Sequence, residues 1–176
     1  MARQQKPVAT EIETTPAPQK TLFDQVAGYL DANDWSYSSY QEQKYFSMFS
    51  RLMAGSVRNI VDVYEEDDWR RVLVFSILPN FVPEHRRAAV LESINRINYQ
   101  TIYGNFEMDQ KDGEIRVRTV IESDIPISDA MIERALNSNI NTASRFFAPL
   151  LAVSFGNASP ESILDLECKR DEATLQ

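Results

Sequence analysis

Residues 91–118 read LESINRINYQTIYGNFEMDQKDGEIRVR, and this stretch decides the fold. Its start carries the apolar spacing of an amphipathic helix that ends near Tyr99. A Gly104-Asn105 corner follows, and then two strands joined at Asp112-Gly113, a strong short hairpin signal. On the outgoing strand Phe106 and Met108 share one side, while Asn105, Glu107 and Asp109 share the other. On the return strand Ile115, Val117, Thr119 and Ile121 alternate with Arg116, Arg118 and Val120. One antiparallel register pairs Phe106 with Val117 and Glu107 with Arg116. A shift of two pairs Glu107 with Arg118 and Asp109 with Arg116. Both put apolar on apolar and acid on base.

Upstream, the helix begins beside Pro83, whose missing N–H costs nothing in a first turn. Arg87, Leu91, Ile94 and Asn98 form one stripe of it, flanked by Val90 and Ile97, and Asn98 is expected to bond a neighbouring loop. Before it lies Trp69–Ile77, WRRVLVFSI, the strongest strand of the chain. Its centre is apolar on both faces, which predicts a central strand with cover on each side. Tyr45–Met53 and Val57–Tyr64 are two further strands, with a turn expected at Gly55-Ser56. In the second of these Val57, Asn59, Val61 and Val63 face one way; Arg58, Ile60, Asp62 and Tyr64 face the other. Residues 35–40 alternate aromatic and small residues, like a short strand.

The first helix starts at Leu22, with Thr21 as N-cap and Asp24 at the favourable end of its dipole, and stops near Asn33. The last starts after Ser128 and repeats apolar residues at three and four from Met131 to Leu151. Pro149 should kink or divide it, and Gly156 ends it. Runs of strands rather than strict βαβ alternation indicate an α+β fold with a mostly antiparallel sheet and helices on one face, in the order helix, three or four strands, helix, two strands, helix. The domain spans residues 21–156. Residues 1–20, rich in Pro, Thr and Gln, read as disordered, and residues 157–176 as an acidic tail with one possible short helix at Ser159-Pro160-Glu161.

A net charge of -8 disfavours phosphate backbones and anionic membranes as partners. No apolar run approaches the roughly 20 residues that cross a bilayer, so the expected location is the cytoplasm. The lone Cys168 excludes an internal disulfide. His85, the only histidine, sits among Glu84, Arg86 and Arg87 without the ligand set that zinc needs or the companions of a catalytic triad. The acidic run Glu65–Asp68 lacks the spacing of a calcium loop. With five glycines and no phosphate-cradling motif, no catalytic, cofactor or metal residues are assigned.

The set Ile94-Asn95-Arg96-Ile97-Asn98, Gly104-Asn105-Phe106-Glu107 and Asp112 through Arg118 resembles the YbjN family of bacterial proteins, also labelled sensory transduction regulators. The resemblance covers roughly residues 21–155. It implies a fold like that of type III secretion chaperones, which are small, acidic, mostly dimeric and bind extended segments of client proteins; it supplies no catalytic residues. The expected function is a non-enzymatic protein-interaction module, chaperone-like or regulatory. It binds a protein partner through an apolar sheet or helix surface and forms a homodimer. By the resemblance, Trp69, Arg71, Val90, Ile94 and Ile97 are candidates for the self-contact. Trp35, Tyr37, Tyr40, Tyr45, Phe46 and Phe49 read mostly as sheet core, but alternation leaves some outward, and Tyr37 and Tyr40 are the candidates for a partner or dimer surface. The alternative is a regulator that senses a small ligand in a pocket between sheet and helices.

Overall fold

The computed structural model describes residues 20–66 and 68–167. The N-terminal segment read as disordered, Asp67 and Cys168 with the end of the tail lie outside the described residues.

The elements run α1 (Leu22–Ala32), β1 (Tyr37–Tyr40), β2 (Tyr45–Leu52), β3 (Gly55–Glu65), β4 (Arg70–Phe81), α2 (Arg87–Gln100), β5 (Asn105–Met108), β6 (Glu114–Ser123) and α3 (Asp129–Phe155). The expected α+β order is present, and residues 37–40 are a separate strand. All six strands form one antiparallel sheet in the order β1-β2-β3-β4-β6-β5, so β4 lies inside it. The hairpin takes the first of the two registers, Phe106 opposite Val117 and Glu107 opposite Arg116. Gly113 makes it possible at φ 87°. A Cβ there would stand 2.4 Å from the Val82 carbonyl oxygen.

The helix ends follow their local chemistry. Thr21 and Asp24 form a reciprocal capping box on α1, and Ser128 accepts from the Met131 N–H at the start of α3. Asn98 bonds both the N–H and the C=O of Phe106, which ties the end of α2 to the start of β5. Pro149 neither divides nor stops α3. It removes one helical hydrogen bond, but Phe146, Phe147, Leu150 and Val153 bury the helix around it. The turn expected at Gly55-Ser56 lies two residues earlier, at Met53-Ala54, because Leu52 pairs with Gly55 and draws the glycine into the strand.

The helices cover one face of the sheet. Phe46, Met48, Val61, Val63, Val72 and Val74 pack with α1 and the first half of α3. Val57, Leu78, Phe106, Ile115 and Val117 pack with α2 and the second half of α3. Ile163, just after the 3₁₀ turn Pro160–Ser162, is buried in this second cluster. Between the two clusters sits a polar knot: Asn59, Ser76 and Asn139 are fully buried, with Thr119 beside them. No described helix is long and apolar enough to cross a membrane.

Candidate interaction surface

The second expectation for β4, cover on both faces, is not met within the described residues. Val72, Val74 and Leu78 are buried under helices, whereas Leu73, Phe75 and Ile77 are half-buried on the opposite face, with no described helix over them. Strand register assembles their neighbours. Tyr40, Tyr45, Asp62, Leu73 and Val120 lie in one row across the sheet; Ser38, Ser47, Ile60, Phe75, Arg118 and Asn105 in the next; Phe49, Arg58, Ile77, Arg116 and Glu107 in the third. The result is an apolar centre edged by aromatic rings. Tyr40 and Tyr45 stack at 4.3 Å, and the Arg116 guanidinium lies 4.7 Å from the centre of the Phe75 ring. A shallow depression of about 270 Å³ is lined by Tyr45, Ile60, Asp62, Phe75, Ile77 and Arg116, among others.

The charges on this face divide into two sets. Glu107 holds both Arg116, at 2.9 Å, and Arg118, at 2.7 Å, while Arg71 holds Glu122 at 2.7 Å. Asp62 and Arg58 have no hydrogen-bond or ion-pair partner among the described residues. Burial alone pushes the Asp62 carboxyl above its ordinary range.

The sequence-selected residues separate. Tyr40 lies on the open face, 42% exposed. Tyr37 turns to the helix side, where its hydroxyl donates to Asp31 at 2.7 Å and its ring meets Phe46 edge-on. Trp69 immediately precedes β4, with the Arg71 guanidinium 4.5 Å from its ring. Val90, Ile94 and Ile97 are buried in the second core cluster. The apolar stripe of α2 therefore faces the protein's own interior, and a partner reaching α2 would meet other residues. The sequence reading missed Ile60, Leu73, Phe75 and Ile77 as surface residues. For Leu73, Phe75 and Ile77 the signal was there, in a strand apolar on both faces.

A second feature is an uncovered strand edge. Only Ile115–Arg118 of β6 pair with β5, so residues 119–123 present one side without a neighbouring strand among the described residues. Tyr103, Val120, Met131 and Ala135 line a groove of about 160 Å³ along that edge. It is smaller than the several hundred Å³ usual for ligand pockets.

Three further basic side chains, Arg86, Arg87 and Arg96, are occupied structurally. Arg86 donates to the carbonyl of Val153 in the last turn of α3 and to that of Ala158 just beyond it, and Arg87 to those of Val82 and Gln110. Arg96 pairs with Glu92 on its own helix. Among the described residues, no group of three or more His, Cys, Asp or Glu side chains could hold a metal ion.

The fold has known counterparts. YbjN from E. coli, described as a putative transcription regulator, superposes with a TM-score of 0.53 at 11% identity, over 69% of this chain and 84% of that one. A chaperone–effector complex of HopA1 and SchA gives a TM-score of 0.46 at 12% identity, over 72% of this chain and 94% of that one. No match was found among curated proteins. The sequence model described as "YbjN: Putative bacterial sensory transduction regulator" matches residues 22–152, the whole span from α1 through most of α3. The chain belongs to the YbjN family.

Proposed function

We propose that the protein is a non-enzymatic interaction module that holds another polypeptide against the open face of its sheet. One observation carries this reading: Ile60, Leu73, Phe75 and Ile77 form the middle of a six-stranded sheet with no described helix above them. Contiguous apolar surface of this kind on a folded chain marks a contact site. The described polar constellation with the deepest burial, Asn59–Ser76–Asn139, contains no titratable group, which favours binding over catalysis. An acidic chain with one cysteine suits the cytoplasm.

Co-purification from the native cell with the intact chain and with Phe75→Asp tests it. Polypeptides retained by the intact chain should be lost with the variant while its far-ultraviolet circular dichroism stays unchanged. Equal recovery by both chains would refute the open face as the contact.

A further inference from the structure

The polypeptide held against the open face can be identified from the charges on β3. Arg58 and Asp62 flank Ile60 symmetrically on the same side of one strand, and neither is paired within the described chain. The other charges across the middle of that face already have ion-pair partners, Arg116 and Arg118 sharing Glu107, and Arg71 on Glu122. An apolar surface carrying one unpaired cation and one unpaired anion, two positions either side of its centre, is complementary to itself.

We propose that a second copy of this chain covers the open face, in a two-fold sheet-on-sheet dimer whose axis crosses the strands at Ile60 and Phe75. This rests on the reading of the face as a polypeptide-binding surface. A two-fold contact places the same patch on both sides, so each residue meets its mirror position along the strand. That axis exchanges the first and third rows. Asp62 of one copy meets Arg58 of the other, twice over. Leu73 meets Ile77, Tyr45 meets Phe49, and Ile60 and Phe75 meet their own counterparts. Arg118 also meets its counterpart, each copy already held by its own Glu107 at 2.7 Å. Facing sheets stack about 10 Å apart, a gap that an arginine from one side and an aspartate from the other can close. The dimer gives the half-buried Asp62 carboxylate the partner that the single chain lacks. It also supplies the missing second cover for β4.

The test is a charge-exchange experiment by sedimentation equilibrium. The wild-type chain should be a dimer. Asp62→Arg alone sets two arginines against each other at both contacts, and Arg58→Asp alone sets two aspartates. Each should weaken self-association by about 100-fold or more. Mixing the two variants restores opposite charges at both contacts and should yield a heterodimer of near wild-type affinity. Asp62→Arg/Arg58→Asp in one chain should again form a homodimer. Melting of each variant at dilution separates loss of association from loss of folding. A wild-type monomer, or variants that associate as well as wild type, would overturn the proposal. So would failure of the mixture to recover when both variants are folded. The underlying reading is tested apart: a monomeric wild-type chain that still loses a different polypeptide on Phe75→Asp sinks the second copy and leaves the open-face reading standing.

Discussion

The Ser76 hydroxyl lies 2.6 Å from Asn139 Oδ1, a hydrogen bond between the centre of β4 and the middle of α3 with both side chains fully buried. Asn139 Nδ2 is within reach of the carbonyls of Val74 and Val117 and of the Thr119 hydroxyl, so this one amide spans β4 and β6. On the other side Asn59 lies 2.7 Å from the Ser76 oxygen and 2.7 Å from the Ser50 oxygen. One serine proton cannot serve both amide oxygens. The set closes if Ser50 donates to Asn59, Asn59 to Ser76, and Ser76 to Asn139, with the Asn59 amide turned accordingly. This chain of bonds fixes α3 over the sheet at one register.

Removing one member leaves buried partners unsatisfied. Asn139→Leu is expected to lower unfolding stability by roughly 2–4 kcal/mol, and Ser76→Ala by about 1–3 kcal/mol. Urea titration followed by tryptophan fluorescence measures both. Values near zero would mean that water replaces the lost bonds.

The two faces of the sheet should respond differently to truncation. Phe46→Ala, under α1, is expected to cost about 3–5 kcal/mol. Phe75→Ser, on the open face, should cost the isolated chain about 1 kcal/mol or less while abolishing polypeptide binding. The same urea titration, run at dilution, compares them.

Gly113→Ala should destabilise more than a typical surface change. The position has φ 87°, and a methyl group would press on the Val82 carbonyl. A loss of about 2 kcal/mol or more is expected, with amide exchange accelerated first in β5 and β6.

Much of this was legible in the chain. Two-residue periodicity placed Val57, Asn59, Val61 and Val63 opposite Arg58, Ile60, Asp62 and Tyr64, and the structure has that division. The acid–base pairing of Glu107 with Arg116 narrowed the hairpin to two registers, and Asn98 was correctly tied to a neighbouring loop. Two things were not legible, for physical reasons. An apolar stripe such as Val90–Ile94–Ile97 looks the same whether it meets the protein's own core or another molecule. The same ambiguity ran the other way for Leu73, Phe75 and Ile77, whose hydrophobicity predicted cover without saying that no helix of the described chain would supply it. Nor could spacing reveal that Asn59, Ser76 and Asn139, far apart in sequence, converge; only the strand order brings them together.

The half-buried Asp62 predicts a pH dependence. Burial raises its folded-state pKa, so ionising it costs the isolated chain stability. Below its ordinary pKa of 3.8 the group is protonated in both states, and no cost exists. The cost grows as pH rises through the raised folded-state value and is complete above it. Tyr45 and Leu73 flank the carboxyl on the neighbouring strands, and Arg71, one row away, is committed to Glu122. At dilution, Asp62→Asn should therefore be more stable than wild type near neutral pH and equal to it in acid. At high concentration the same variant should associate less well, because it loses its charge-assisted contact with Arg58. Thermal melts across pH at two concentrations separate the effects.

The most direct test is photo-crosslinking in the native cell, with a photoreactive residue at Phe75 on the open face and, as a control, at the exposed Glu133 on α3. Covalent adducts to a polypeptide should form from position 75 and be absent or far weaker from position 133. A folded, abundant chain that gives no adduct from position 75 would contradict the account.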